Sequence, residues 1–163
     1  MADCWISNAS PLIVLARVGH LALLRALPVP VLVPELVLSE VEAGNAKDGA
    51  ADAVGACEHL TRVGTVDVPE NIATWLLHVG ESQVLAHAVA MRDVGVLLDD
   101  RAARRCARAL GLPLLGTIGL IVRAKRAGIV SAAAPVIQSV VDAGLHVDEA
   151  LVAAVLAELG EDA

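Results

Sequence analysis

The sequence predicts an α/β fold of three layers, α/β/α, with a central, mostly parallel sheet. Two observations carry this reading. Short apolar runs alternate with helical patterns along the chain, as βαβ units do. The composition is 56% hydrophobic, yet Phe and Tyr are absent and Trp occurs twice. The core must therefore be built from Leu, Val, Ile and Ala, which suits helices packed on a β-branched sheet. A chain of 163 residues has the length of one ordinary domain. No repeat, low-complexity tract or linker divides it, so residues 1–163 read as a single domain with a helical extension from about residue 131.

Cys4 to Ser7 is the first strand. Ser10-Pro11 reads as an N-cap followed by proline at the first helical position, opening a helix that Gly19 closes. A second helix runs from His20 to Leu27, Val29 to Val33 forms a strand, and Pro34 starts the next helix. Residues 44–55, rich in Gly, Ala and Asp, read as a loop leading into a weak helix that ends near Leu60. Val63 to Val68 is the candidate edge strand. Pro69-Glu70 begins a short helix, and Gly80 punctuates the chain before a strong helix from Glu81 to Arg92. Gly95 to Leu98 and Leu114-Leu115 are strands, while Arg101 to Leu110 and Thr117 to Ala127 are helices. Two more helices, Ala133 to Ala143 and Asp148 to Leu159, finish the chain.

The bulk composition removes several function classes. A formal charge of −7 argues against a uniformly basic surface, so any nucleic-acid contact must use a local patch. The scarcity of aromatics removes the stacking platforms of most single-strand binders. Cys4, Cys57 and Cys106 are odd in number and lack CxxC spacing, so neither a disulfide framework nor a zinc site is indicated, and a reducing cytoplasm is the natural setting. The N-terminus lacks a signal-peptide pattern, and no apolar run reaches membrane-spanning length. The five histidines show no HxH or HxxxH spacing. No GxSxG, P-loop or GxGxxG motif occurs, and Ser7 and Ser10 have no evident general base.

Acidic side chains in unexpected places carry the remaining information. Ligands of parallel sheets bind beyond the carboxyl ends of the strands. Asn8 follows the first strand directly, and Asp99-Asp100 follow the strand containing Val96 and Leu98. At 100° per residue, Glu40 projects between Leu36 and Val37, on the apolar arc, whereas Glu35 and Glu42 face away. An acid salt-bridged to an arginine is the alternative for Glu40. Glu81 likewise lies near the centre of the arc set by Val84, Leu85, Ala88, Val89 and Met91, with Gln83 and His87 outside it. The helix dipole explains a first-turn Glu81 but not its inward phase. Asp at 99 or 100 is a natural N-cap, but one cap needs one Asp, and hard cations such as Mg²⁺ want oxygen donors. Arg101, Arg104, Arg105 and Arg108 make an arginine stripe beginning next to Asp100. It reads as a solvated face, a phosphate track, or a dock for an acidic segment. Arg123, Lys125 and Arg126 form a second cluster. A phosphoacceptor domain would need a Lys just after a late strand, and Lys125 lies inside a helix.

These residues resemble the PIN-domain family, specifically its VapC-toxin-like group of predicted nucleic-acid-binding proteins. The resemblance rests on Ser7-Asn8-Ala9-Ser10-Pro11-Leu12, Val33-Pro34-Glu35 through Ser39-Glu40-Val41, Gly80-Glu81-Ser82, Leu98-Asp99-Asp100-Arg101, and Gly111-Leu112-Pro113 with Gly116-Thr117. It continues through Arg123 to Gly128 and Asp148 to Leu151. It implies a PIN-like fold and an endoribonuclease dependent on Mg²⁺ or Mn²⁺, the toxin of a toxin–antitoxin pair. RNA, a cognate antitoxin and a second copy in a homodimer would be its partners. Glu40, Glu81 and Asp100 match the family's catalytic acids. Asn8 and Asp99 would complete the metal shell, and Ser10, Arg101, Arg104 and Thr117 would contact substrate. Asn8 departs from the pattern by standing where many PIN nucleases carry an Asp. Asp3 cannot replace it, since at about 3.3 Å per residue it lies roughly 16 Å away along the strand. An Asn carbonyl lacks full negative charge, so weaker metal affinity follows, or a catalytically weakened module that binds RNA or protein.

Overall fold

The computed structural model describes residues 2–28, 30–44 and 48–161, and among these the five strands are short and, apart from Leu60–Val63 with its exposed Thr61 and Arg62, mainly apolar. The first strand, β1, is Cys4–Ser7, followed by α1, Ala9–Arg17, and a 3-10 turn over Leu21–Ala26. Then come β2, Val31–Pro34, and α2, Glu35–Ala43. The expected strand start at Val29, the loop positions 45–47 and the chain ends at 1 and 162–163 lie outside the described residues. Next are α3, Ala50–Gly55, β3, Leu60–Val63, and α4, Glu70–Ala73. The central helix α5 is Val79–Ala90, followed by β4, Val94–Leu97, and α6, Arg101–Ala109. Finally β5, Leu114–Leu115, leads to α7, Thr117–Arg126, α8, Ala134–Asp142, and α9, Glu149–Leu159.

All strand pairs are parallel, in the order β3-β2-β1-β4-β5. Helices flank this sheet, giving the expected three-layer α/β/α fold. The chain leaves β1 for β2 on one side and later returns to β4 on the other. The carboxyl ends of β1 and β4 therefore frame the crevice where strand order reverses, the natural ligand position in such sheets. Register locks the two strands together, with Trp5 opposite Gly95 and Ser7 opposite Leu97. Gly95 is required there, because a Cβ would lie 2.8 Å from the Trp5 ring.

The edge strand forms at Leu60–Val63 rather than at Val63 to Val68. Segment 64–68 is instead held by side chains of α5. The Gln83 amide donates to the Val66 carbonyl at 2.8 Å and accepts from the Val66 N–H at 3.0 Å, while His87 Nε2 lies 2.8 Å from the Gly64 carbonyl. Gln83 and His87, expected outside the buried arc, are therefore buried, whereas Val89 and Met91 are exposed. Because α5 packs on β1, β2, β4, α2, α4 and α6, it is covered nearly all round. Periodicity marks only one of its covers.

Candidate functional site

Asn8 has the β-region backbone of an N-cap for α1, yet its side chain makes no cap hydrogen bond. Asn is among the best N-caps, so this unused side chain is informative. Asn8 is 3% exposed, and its Oδ1 is buried without a hydrogen-bond partner. That oxygen points toward the start of α5. A Cβ built on Gly80 would meet Glu40 Oε2 at 2.5 Å, Asn8 Oδ1 at 3.1 Å and a Val37 methyl at 3.2 Å. Gly80 thus does more than punctuate the helix. It is the opening through which an amide oxygen and a carboxylate oxygen approach one point.

Glu40 reaches this point from an exposed flank of α2, not from its buried face. The buried stripe is narrower than helical phase predicts, consisting of Val37 and Val41, and Leu36 is also exposed. Glu81 is buried, and one of its carboxylate oxygens accepts from the His78 N–H at 3.2 Å. Burial pushes its carboxyl above the usual range, and the negative charge of Asp100 adds to this. The His78 N–H and ring pull it down, and Glu40 contributes a further upward push. Glu81 therefore feels both Glu40 and Asp100 across a shared space.

The two adjacent aspartates do different work. Exposed Asp100 caps α6, accepting from the Ala103 N–H at 2.9 Å. Asp99 accepts from the Thr117 N–H at 2.7 Å and from the Thr117 hydroxyl at 2.6 Å, tying the β4 end to the first residue of α7. One cap needs one Asp, but two helices begin here. Successive side chains of an extended segment point to opposite sides, so Asp100 falls toward Glu81 and Asp99 toward Gly116 and Arg104. Gly116 makes room for both: a Cβ there would lie 2.5 Å from Arg104 Nη1 and 2.9 Å from Asp99 Oδ1. Arg104 also donates to the Leu98 carbonyl at 2.8 Å. Its burial, and then Arg108, lower its pKa, with Asp99 opposing.

Among the described residues, no three His, Cys, Asp or Glu side chains stand close enough together to hold a metal ion by themselves. The donor chemistry nevertheless fits Mg²⁺, which takes one or two carboxylates, keeps several waters and completes its shell with substrate phosphate. The orphaned Asn8 oxygen is the strongest sign of fit, since a buried carbonyl without a partner is costly. Glu40 Oε2 approaches the same point at Gly80, and Glu81 feels the charges of both Asp100 and Glu40. Thr117 is buried and committed to Asp99, and Ser10 is exposed on α1.

The arginine stripe divides. Arg105 sits over the Trp75 ring, 5.9 Å from its centroid, while Arg101, Arg104 and Arg108 line a cleft of about 1020 Å³. Arg123 and Arg126 of α7 line the same cleft. This convergence was not read from the sequence, although the i, i+3 spacing of Arg123 and Arg126 was its available signal. Lys125 turns away to Glu161 and the Ser131 carbonyl.

A parallel sheet that collects acidic and amide oxygens at its strand-order reversal defines a class of α/β proteins built to act at that edge. Within this class the chain belongs to the PIN-domain family: the model described as DUF3368: PIN domain matches residues 4–161. The PIN domain is a nuclease-type fold, and the match bears out the resemblance at the level of the PIN-domain family. No curated protein matches the chain. Among the described residues, no helix is long and apolar enough to cross a membrane.

Proposed function

We propose that this PIN domain is a metal-dependent endoribonuclease whose centre comprises Asn8, Glu40, Glu81 and Asp100. The observation that supports it best is the buried, partnerless Asn8 Oδ1 converging with Glu40 on Gly80. Mg²⁺ or Mn²⁺ would be held by these oxygens and, when bound, lowers the pKa of water and stabilises charge on phosphate. The chain's own residues supply the rest. Gly80 lets Glu40 approach, burial keeps Glu81 away from bulk water, and Asp99 fixes the α7 start beside Asp100. The toxin role adds an antitoxin partner, detectable as inhibition of cleavage.

The test pairs single-stranded RNA cleavage with Mn²⁺-induced thermal stabilisation. Wild type is expected to show both, and Glu81→Gln to lose cleavage and most of the Mn²⁺ shift. Equal cleavage by the two proteins would refute the assignment. The neutral Asn8 favours a second reading, a weakened module that binds without cleaving. Asn8→Asp separates the readings: a cleavage gain of about tenfold or more, equivalent to about 1.4 kcal/mol, over an inert wild type supports the weakened module.

A further inference from the structure

We infer that the cleft between α6, β5, α7 and α9 binds the backbone phosphates of an unpaired nucleic-acid strand, on the opposite side of the Asp99-Asp100 pair from Glu40 and Glu81. This rests on the nuclease reading for its substrate but not for its chemistry. Five arginines, Arg101, Arg104, Arg108, Arg123 and Arg126, line one cleft of a protein whose formal charge is −7; of these, Arg126 pairs with Glu158 and Arg123 lies over the Trp5 ring, 5.9 Å from its centroid. A phosphate-binding stretch on an acidic protein must be concentrated in this way, because a local field attracts a polyanion that the whole molecule repels.

The acids in the cleft are already engaged. Asp99 holds Thr117, Asp148 caps α9 through the Ala150 N–H at 2.8 Å, and Glu158 pairs with Arg126. By contrast, Arg101 and Arg108 are exposed and have no ion-pair partner among the described residues. Arg108 also lies close enough to Arg104 to lower its pKa. With Asp99 beside Arg104 and Glu158 on Arg126, the positive charge left to meet an anion is that of exposed Arg101 and Arg108.

The remaining wall selects the kind of anion. Leu115, Val122, Leu151 and Val155 face the same space, giving apolar surface for sugars and unstacked bases. A duplex keeps its base faces stacked inside and shows only base edges in its grooves, whereas an unpaired strand can lay its base faces and sugars on the aliphatic wall and its phosphates on the arginines. Asp99 and Arg101, the two neighbours of Asp100 in the chain, both line the cleft. A strand lying in it would therefore pass next to the residue that the proposed centre shares with this edge of the sheet.

The test measures anisotropy of a fluorescein-labelled single-stranded RNA on the full chain in EDTA, across a NaCl series. Arg101→Ala/Arg108→Ala is expected to bind about tenfold more weakly, the size of two screened charge contacts. Its log–log salt slope should fall by about 1.4, from about 0.7 for each lost contact. Arg108→Lys should retain more binding than Arg108→Ala, and Arg62→Ala, on β3, should match wild type. Equal affinity and slope for the double variant and wild type overturn the inference. So does displacement of the RNA by oligo-glutamate as effective as by unlabelled RNA, which would mark a dock for an acidic protein segment. Metal-dependent cleavage is assayed separately. Cleavage with unchanged binding in the double variant removes only the cleft, while lost binding without any wild-type cleavage removes only the nuclease reading.

Discussion

Gly80 is the residue on which the proposed centre turns. Replacing it with Ala at position two of α5 would gain up to about 1 kcal/mol of helix propensity. The added methyl would meet Glu40 Oε2 at 2.5 Å, but that oxygen ends a flexible, exposed side chain and can swing away. It would also meet the buried Asn8 Oδ1 at 3.1 Å and a Val37 methyl at 3.2 Å, which must give by a few tenths of an ångström and offset part of that gain. Gly80→Ala is therefore expected to melt within a few degrees of wild type while losing Mn²⁺ stabilisation and cleavage. Calorimetry with and without Mn²⁺ checks both halves; retained metal response would mean that Glu40 is no part of the centre. The sequence made Glu81 legible because a buried acid breaks a helical pattern. Glu40 was legible as unusual but not as exposed, since its position depends on how closely α5 approaches α2.

At the level of elements, Asp99 and Thr117 form the joint between β4 and α7. Thr117 is fully buried, and its hydroxyl donates to Asp99 at 2.6 Å. Thr117→Val keeps the shape but removes the donor, so urea denaturation should show a loss of about 1–3 kcal/mol, whereas Thr117→Ser should lose less. An unchanged midpoint for Val would show that the bond adds no net stability. The parallel sheet could be anticipated from alternating apolar runs, but neither its strand order nor the second role of the Asp pair could. Periodicity sees the helix following Asp100 and is blind to another beginning 18 positions after Asp99. The covering of Gln83 and His87 by segment 64–68 was hidden for the same reason: it is a contact between elements, not a pattern within one.

Across the whole molecule, charge is sorted. Arg101, Arg104, Arg105, Arg108, Arg123, Lys125 and Arg126 lie within one stretch of a chain that has twelve basic residues, and acids meet at the neighbouring edge. This arrangement has an energetic signature. The Glu81 carboxyl is held above its usual range by burial and by Asp100. The folded state thus binds its proton more tightly than the unfolded state, and stability falls as pH rises from the unfolded carboxylate range through the folded value. Glu81→Gln removes that cost while preserving the acceptor for His78. In EDTA at neutral pH it should melt above wild type, by on the order of 2–4 °C for each kcal/mol relieved, and the difference should vanish below the carboxylate range. A lower melting temperature for Gln at neutral pH would show that the ionised side chain stabilises the fold.

The back-to-back placement of Asp99 and Asp100 has a thermodynamic consequence. One dipeptide is tied to Thr117 through Asp99 and acts on Glu81 through the charge of Asp100. If an anion in the cleft shifts that dipeptide and changes cation affinity by some factor, the cation must change the anion's affinity by the same factor. The two faces then form a reciprocal pair, and binding measured at either reports on the other.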